Sequence, residues 1–197
     1  MAKRRPPPGK CVHCLSDPVP RTWDHVFPES WYPDTTLRNI EKWEIPACQL
    51  CNREYGKSEI IGQLLKGSDI PETAIYPNFE EKWGRPPEQQ KGILIPANSV
   101  HRLFEKIVRG VFYLEDRKFI EPPYLMNLYP PQDRLSTEFT SLLERFGQFY
   151  AREPGIVVQR AVAREDGMSS ILKIEIWKAI TMYAMATGPE SIPVLVG

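Results

Sequence analysis

The sequence predicts an α+β protein in two parts: a small cysteine-bounded ββα unit, then a separate α+β domain. Three observations carry this. All four cysteines fall in two CxxC pairs, Cys11–Cys14 and Cys48–Cys51, early in the chain. Pro71, Pro77, Pro86, Pro87 and Pro96 then punctuate a stretch without clear periodicity. Beyond it, helical and strand periods both appear. A chain of 197 residues has room for one good core or two small ones, since domains cluster at about 100–150 residues.

Residues 1–9, rich in Lys, Arg and Pro, have little to bury and are expected to be a basic disordered arm. No apolar stretch follows their charges, as a secretory signal would require, and no run approaches the ~20 residues that span a bilayer. The expectation is a cytoplasmic protein without a membrane partner. Basic and acidic residues balance at 25 each, so a global positive field of the kind that coats nucleic acid is absent. A local basic patch remains compatible with that balance.

Residues 10–66 hold every cysteine. Arg21–Phe27 has the β-branched and aromatic content of a short strand, ended by Pro28. Residues 29–47, with Trp31, Tyr32, Pro33, Trp43 and Pro46, are expected as a loop held by aromatic packing. From Leu50 to Leu65 the spacing of Tyr55, Ile60, Ile61, Leu64 and Leu65 predicts a helix, with Gly67 as its stop.

Residues 67–97 are expected to be a Pro-rich linker, and 98–197 an α+β accessory domain. There Asn98 or Ser99 caps a helix whose stripe is Val100, Leu103, Phe104, Ile107, Val108 and Val111. A second helix fits Leu135, Phe139, Leu142, Leu143 and Phe146. Strand character follows in Ile156–Val158 and, after a turn at 165–167, in Ile171–Trp177. Residues 180–186 fit a third strand or a short helix. No catalytic signature stands out in this half.

In a reducing compartment, paired CxxC motifs are more often metal ligands than disulfides. Each short hairpin turns two sulfurs inward, so Cys11, Cys14, Cys48 and Cys51 predict a tetrahedral structural Zn²⁺ with no cysteine left over. His13, inside the first pair, could replace a cysteine, but four sulfurs already saturate the ion, so it is expected to be a bystander. A region this small should draw much of its folding free energy from the metal.

Between the pairs stand Asp24 and His25, and Asn52 follows Cys51 directly. On an extended segment Asp24 and His25 diverge to opposite sides, which suits a metal and a base acting from two sides of a phosphate. A carboxylate and an amide oxygen, completed by water, are a typical hard shell for Mg²⁺. Asn52 could instead cap a helix.

The run CxxC, Asp-His-Val-x-Pro, Asn39, CxxC-Asn-Arg-x-x-Gly-Lys resembles the HNH branch of the His-Me finger (ββα-metal) endonucleases. It is similar in particular to the zinc-bearing, treble-clef-like type represented by a phage recombination endonuclease. The resemblance covers residues 10–66. It implies a DNA endonuclease with His25 as general base and Asp24 and Asn52 as ligands of a catalytic Mg²⁺ or Mn²⁺. It implies further that Asn39 shapes the loop and orients the imidazole, although Asn39 could be an ordinary turn residue. Asn at the last motif position, where His is frequent, makes this an HNN variant. Glu59 could supply a third ligand two helical turns on.

Arg53 and Lys57 are candidate phosphate contacts or plain surface charges. The expected partner is nucleic acid, double-stranded DNA in the first instance. The alternative is a non-catalytic zinc-ribbon module that binds nucleic acid or protein without cutting.

Overall fold

The computed structural model describes residues 5–27, 42–55, 97–153, 156–163, 169–176 and 180–188. It divides into two compact units, Met1–Glu115 and Asp116–Gly197.

Unit 1 contains strand β1 (Arg21–His25), strand β2 (Glu44–Cys48), helix α1 (Gln49–Tyr55) and helix α2 (Ala97–Asp116, whose last residue falls in unit 2). The two strands pair antiparallel, from Arg21 opposite Cys48 to His25 opposite Glu44. Here the structure differs from the expected loop over 29–47, because Glu44–Cys48 is a strand. Pro46 sits within it, which a two-stranded sheet tolerates because an edge strand can spare an N–H. Ile45, Pro46 and Ala47 are buried between half-buried Glu44 and Cys48, and Trp43 packs on Phe27 with ring centroids 5.8 Å apart. The helix expected over 50–65 begins at Gln49, and its continuation beyond Tyr55 lies outside the described residues.

The helix expected to open the accessory domain belongs instead to unit 1, and the division falls after Glu115 rather than at residue 97. The physical reason is a row of contacts four residues apart, which share one helix face. Arg102 pairs with Glu54, Lys106 with Asp24, and Gly110 lies so close to Val26 that a Cβ there would sit 2.8 Å from its methyl. Of the expected stripe, Leu103, Phe104, Ile107, Val108 and Val111 are buried, and the side chain of Val100 lies outside the described part. The helix already includes Ala97, so Asn98 and Ser99 lie within it rather than capping it. The residues expected as a linker, 67–96, lie outside the described part. The arm expected to be disordered is held at its end: Gly9 bridges to Val19, and the Arg21 guanidinium donates to the Pro7 and Lys10 carbonyls.

Among the described residues, unit 2 is a five-stranded antiparallel sheet with one helix against it. Its elements are β3 (Leu125–Tyr129), α3 (Arg134–Phe146), β4 (Gln148–Glu153), β5 (Ile156–Val162), β6 (Ser170–Ile176) and β7 (Ile180–Thr187), in the sheet order β3-β7-β6-β5-β4. Helix α3 starts where Asp133 accepts from the Leu135 amide and ends where the Gly147 N–H donates to the Leu143 carbonyl. Phe139 and Leu143 pack with Tyr183, Tyr129, Ala161, Ile171 and Met185. Residues 180–187 are a strand, which resolves the strand-or-helix alternative. Strands β3 and β4, at the two edges, were not expected. Among the described residues no helix is long and apolar enough to cross a membrane.

Candidate functional site

The two CxxC turns meet at one point, and one ligand atom from each of Cys11, Cys14, Cys48 and Cys51 lies within 4.8 Å of the others. Cys14 and Cys48 sulfurs stand 3.8 Å apart. A tetrahedral ion with bonds of about 2.3 Å sets sulfur–sulfur edges of about 3.8 Å, so these residues fit a structural zinc. The first turn closes through Leu15, at φ 63°, whose N–H donates to the Cys11 carbonyl. The second pair is fixed by secondary structure, Cys48 ending β2 and Cys51 lying in the first turn of α1. Backbone amides point at the sulfurs: the Cys48 N–H donates to Cys11 Sγ and the Cys51 N–H to Cys48 Sγ.

Burial pushes the Cys11 and Cys51 thiols up. At Cys14 burial acts the same way, but hydrogen bonds from Ser16 and the neighbouring sulfurs Cys11 and Cys51 outweigh it and bring the thiol down to about 7. A bound cation removes the penalty on the buried pair, because coordination deprotonates a thiol outright.

The side chains of Asp24 and His25 diverge as the strand period predicts. His25 is half-buried, its side chain 24% exposed, with Nε2 3.4 Å from Glu44 Oε1 on the adjoining strand. Asp24 turns inward and is 4% exposed. Its Oδ2 lies 2.9 Å from His13 Nε2, and its Oδ1 accepts from Lys106 Nζ at 2.9 Å. Burial lowers the His13 pKa, a shift the Asp24 carboxylate opposes and the Lys106 and Arg109 charges reinforce. A carboxylate oxygen accepts, so the His13 Nε2–H donates to Asp24 Oδ2.

Asn52 lies inside α1 rather than at its start, which removes the helix-cap alternative. Its amide nitrogen donates to Thr22 Oγ1 at 2.9 Å and to the Trp23 carbonyl at 3.0 Å, pinning the helix to β1. Asp24 and Asn52 thus make separate sets of bonds. A divalent ion such as Mg²⁺ wants oxygen ligands in an octahedron with several waters retained. A buried carboxylate with a nitrogen donor on each oxygen does not fit it. The residues here disagree with the expected catalytic ligand pair.

Arg53 is exposed on α1. Asn39, Lys57 and Glu59 lie outside the described residues. Three partners were missed from sequence: Glu44, His13 as an Asp24 donor, and Lys106. The β1–β2 register would have found Glu44. Lys106 carried a signal too, as a cation three residues from Leu103 and next to Ile107 on a helix face otherwise apolar. His101 is exposed on α2.

No family model, no curated protein and no solved structure matches the chain.

Proposed function

We propose that the cysteine-bounded part of unit 1 is an HNH-type module that hydrolyses DNA phosphodiester bonds, with His25 as general base. The observation that carries this is an accessible imidazole at the end of β1, faced by the Glu44 carboxylate and set beside a helix that Asn52 ties to the same strand. Zinc-held turns on both sides keep this frame rigid without a large core. His25 then takes a proton from water, the hydroxide attacks phosphorus, and the P–O3′ bond breaks as the departing 3′ oxygen takes a proton from solvent water. Glu44 orients the ring, as a carboxylate does beside other catalytic histidines. Arg53 offers charge to the phosphate from the exposed face of α1. No step is routed through a divalent ion, because Asp24 is engaged elsewhere.

The test is conversion of supercoiled plasmid to nicked circles by the zinc-loaded chain. His25→Ala should slow it by roughly 10²–10⁴-fold, the usual worth of a general base, with zinc content unchanged. An unimpaired His25→Ala protein overturns the proposal.

One observation favours a second function, a zinc module that binds nucleic acid or protein without cutting. Both oxygens of Asp24 are already taken by protein donors. That function predicts salt-sensitive DNA binding, no cleavage under any metal condition, and binding indifferent to His25→Ala.

A further inference from the structure

Asp24, His13 and Lys106 come from three separate pieces of chain, a zinc turn, a strand and a helix, and meet where water does not reach. Asp24 is 4% exposed, Lys106 2% and His13 8%. The two nitrogen–oxygen distances are both 2.9 Å, one to each carboxylate oxygen. Each carboxylate oxygen already has a nitrogen partner inside the protein, the imidazole on Oδ2 and the ammonium on Oδ1. A divalent ion placed on Asp24 would add two positive charges beside a buried ammonium. To admit it, the carboxylate would have to release Lys106, leaving that charge buried and unpaired. Loss of one partner of a buried pair weakens a state by roughly 10²-fold or more.

We propose that the Lys106 ammonium is the resident counter-cation of Asp24. It takes the place at this carboxylate that the HNH resemblance would give to a divalent ion. Asp24 is then a positioning residue. It joins α2 to β1 and to the first zinc turn, and it does not ligate a metal. The placement of Lys106 supports this, since Arg102 and Gly110 one turn to either side also meet unit 1 residues, Glu54 and Val26. The ammonium is therefore delivered by a helix fixed at three levels rather than by a free surface side chain.

This inference is independent of whether the protein cuts DNA, because its test reads metal binding and proton exchange. Uptake of Mn²⁺ by the zinc-loaded full chain, followed by electron paramagnetic resonance, should be the same for the natural protein and for Asp24→Asn. One Mn²⁺ bound by the natural protein and lost in Asp24→Asn overturns the proposal. A second measurement covers the case in which Asp24→Asn does not fold. In ¹⁵N spectra of lysine ammonium groups, Lys106 should give a signal protected from exchange, identified by its absence in Lys106→Arg, which keeps the charge. Excess Mg²⁺ should leave that signal in place. Its disappearance or displacement by Mg²⁺ overturns the proposal.

Discussion

Each unit buries a cation against an aspartate, but the two pairs stand in different company. In unit 1 the Lys106–Asp24 pair is closed on both sides and joined by His13. In unit 2 Arg160 is 1% exposed, but its partner Asp116 keeps 20% of its side chain in water, and Ser170 accepts a further bond. Around Arg160 runs a ladder of five strands backed by α3. Unit 1 thus adds a four-cysteine cluster and a closed polar cluster to the buried apolar face of α2, whereas unit 2 rests on strand pairing and apolar packing around α3. Chemistry that acts on ligands should therefore damage the two unequally.

Removal of zinc by a chelator, or Cys48→Ser, should produce the largest effect. Metal binding contributes on the order of 10 kcal/mol in small zinc domains. Amide exchange should speed up through β1, β2 and α1 while β5, β6 and β7 stay protected. Equal loss of protection in both units would break the comparison. Next comes Lys106→Met, which strands the Asp24 carboxylate and should cost about 3–5 kcal/mol in denaturant unfolding. Arg160→Met should fall at or below the low end of that range, about 3 kcal/mol, because water still reaches Asp116. A reversed order would show that exposure does not rank these pairs.

Gly110→Ala isolates packing from charge. Alanine favours a helix interior by about 1 kcal/mol, yet the new methyl would press on Val26, and overpacking costs about 1–3 kcal/mol. A net loss of about 1 kcal/mol is expected, and a raised thermal midpoint would show that α2 stands farther from β1. The smallest effect is Tyr183→Phe, which removes a 2.7 Å bond to Thr140 Oγ1 and should cost about 1 kcal/mol or less. A much larger loss would show that the tie between α3 and β7 rests on this bond as well as on packing.

Local pattern made much of this legible. The cysteine spacing anticipated the four-sulfur cluster, and the strand period anticipated the divergence of Asp24 and His25. Stripes located α2 and α3, and alternation located β6. Strand β2 was hidden by Pro46 and its aromatic surroundings. Strands β3 and β4 are edge strands, held in place by a neighbouring ladder rather than by a strong pattern of their own. Phe146 fitted the α3 stripe and is nonetheless exposed, because it is the last residue of that helix.

By itself, the sequence determined whatever is written within a turn or a period: two sulfur hairpins, an acid and an imidazole on opposite sides of a strand, and helices with one apolar face. Tertiary structure decided the partners of Asp24. His13 lies 11 residues away and Lys106 82 residues away, and no local rule links such separations. Which cation a buried carboxylate keeps depends on what else is excluded from water beside it, and that is fixed only when strand, zinc turn and helix close together.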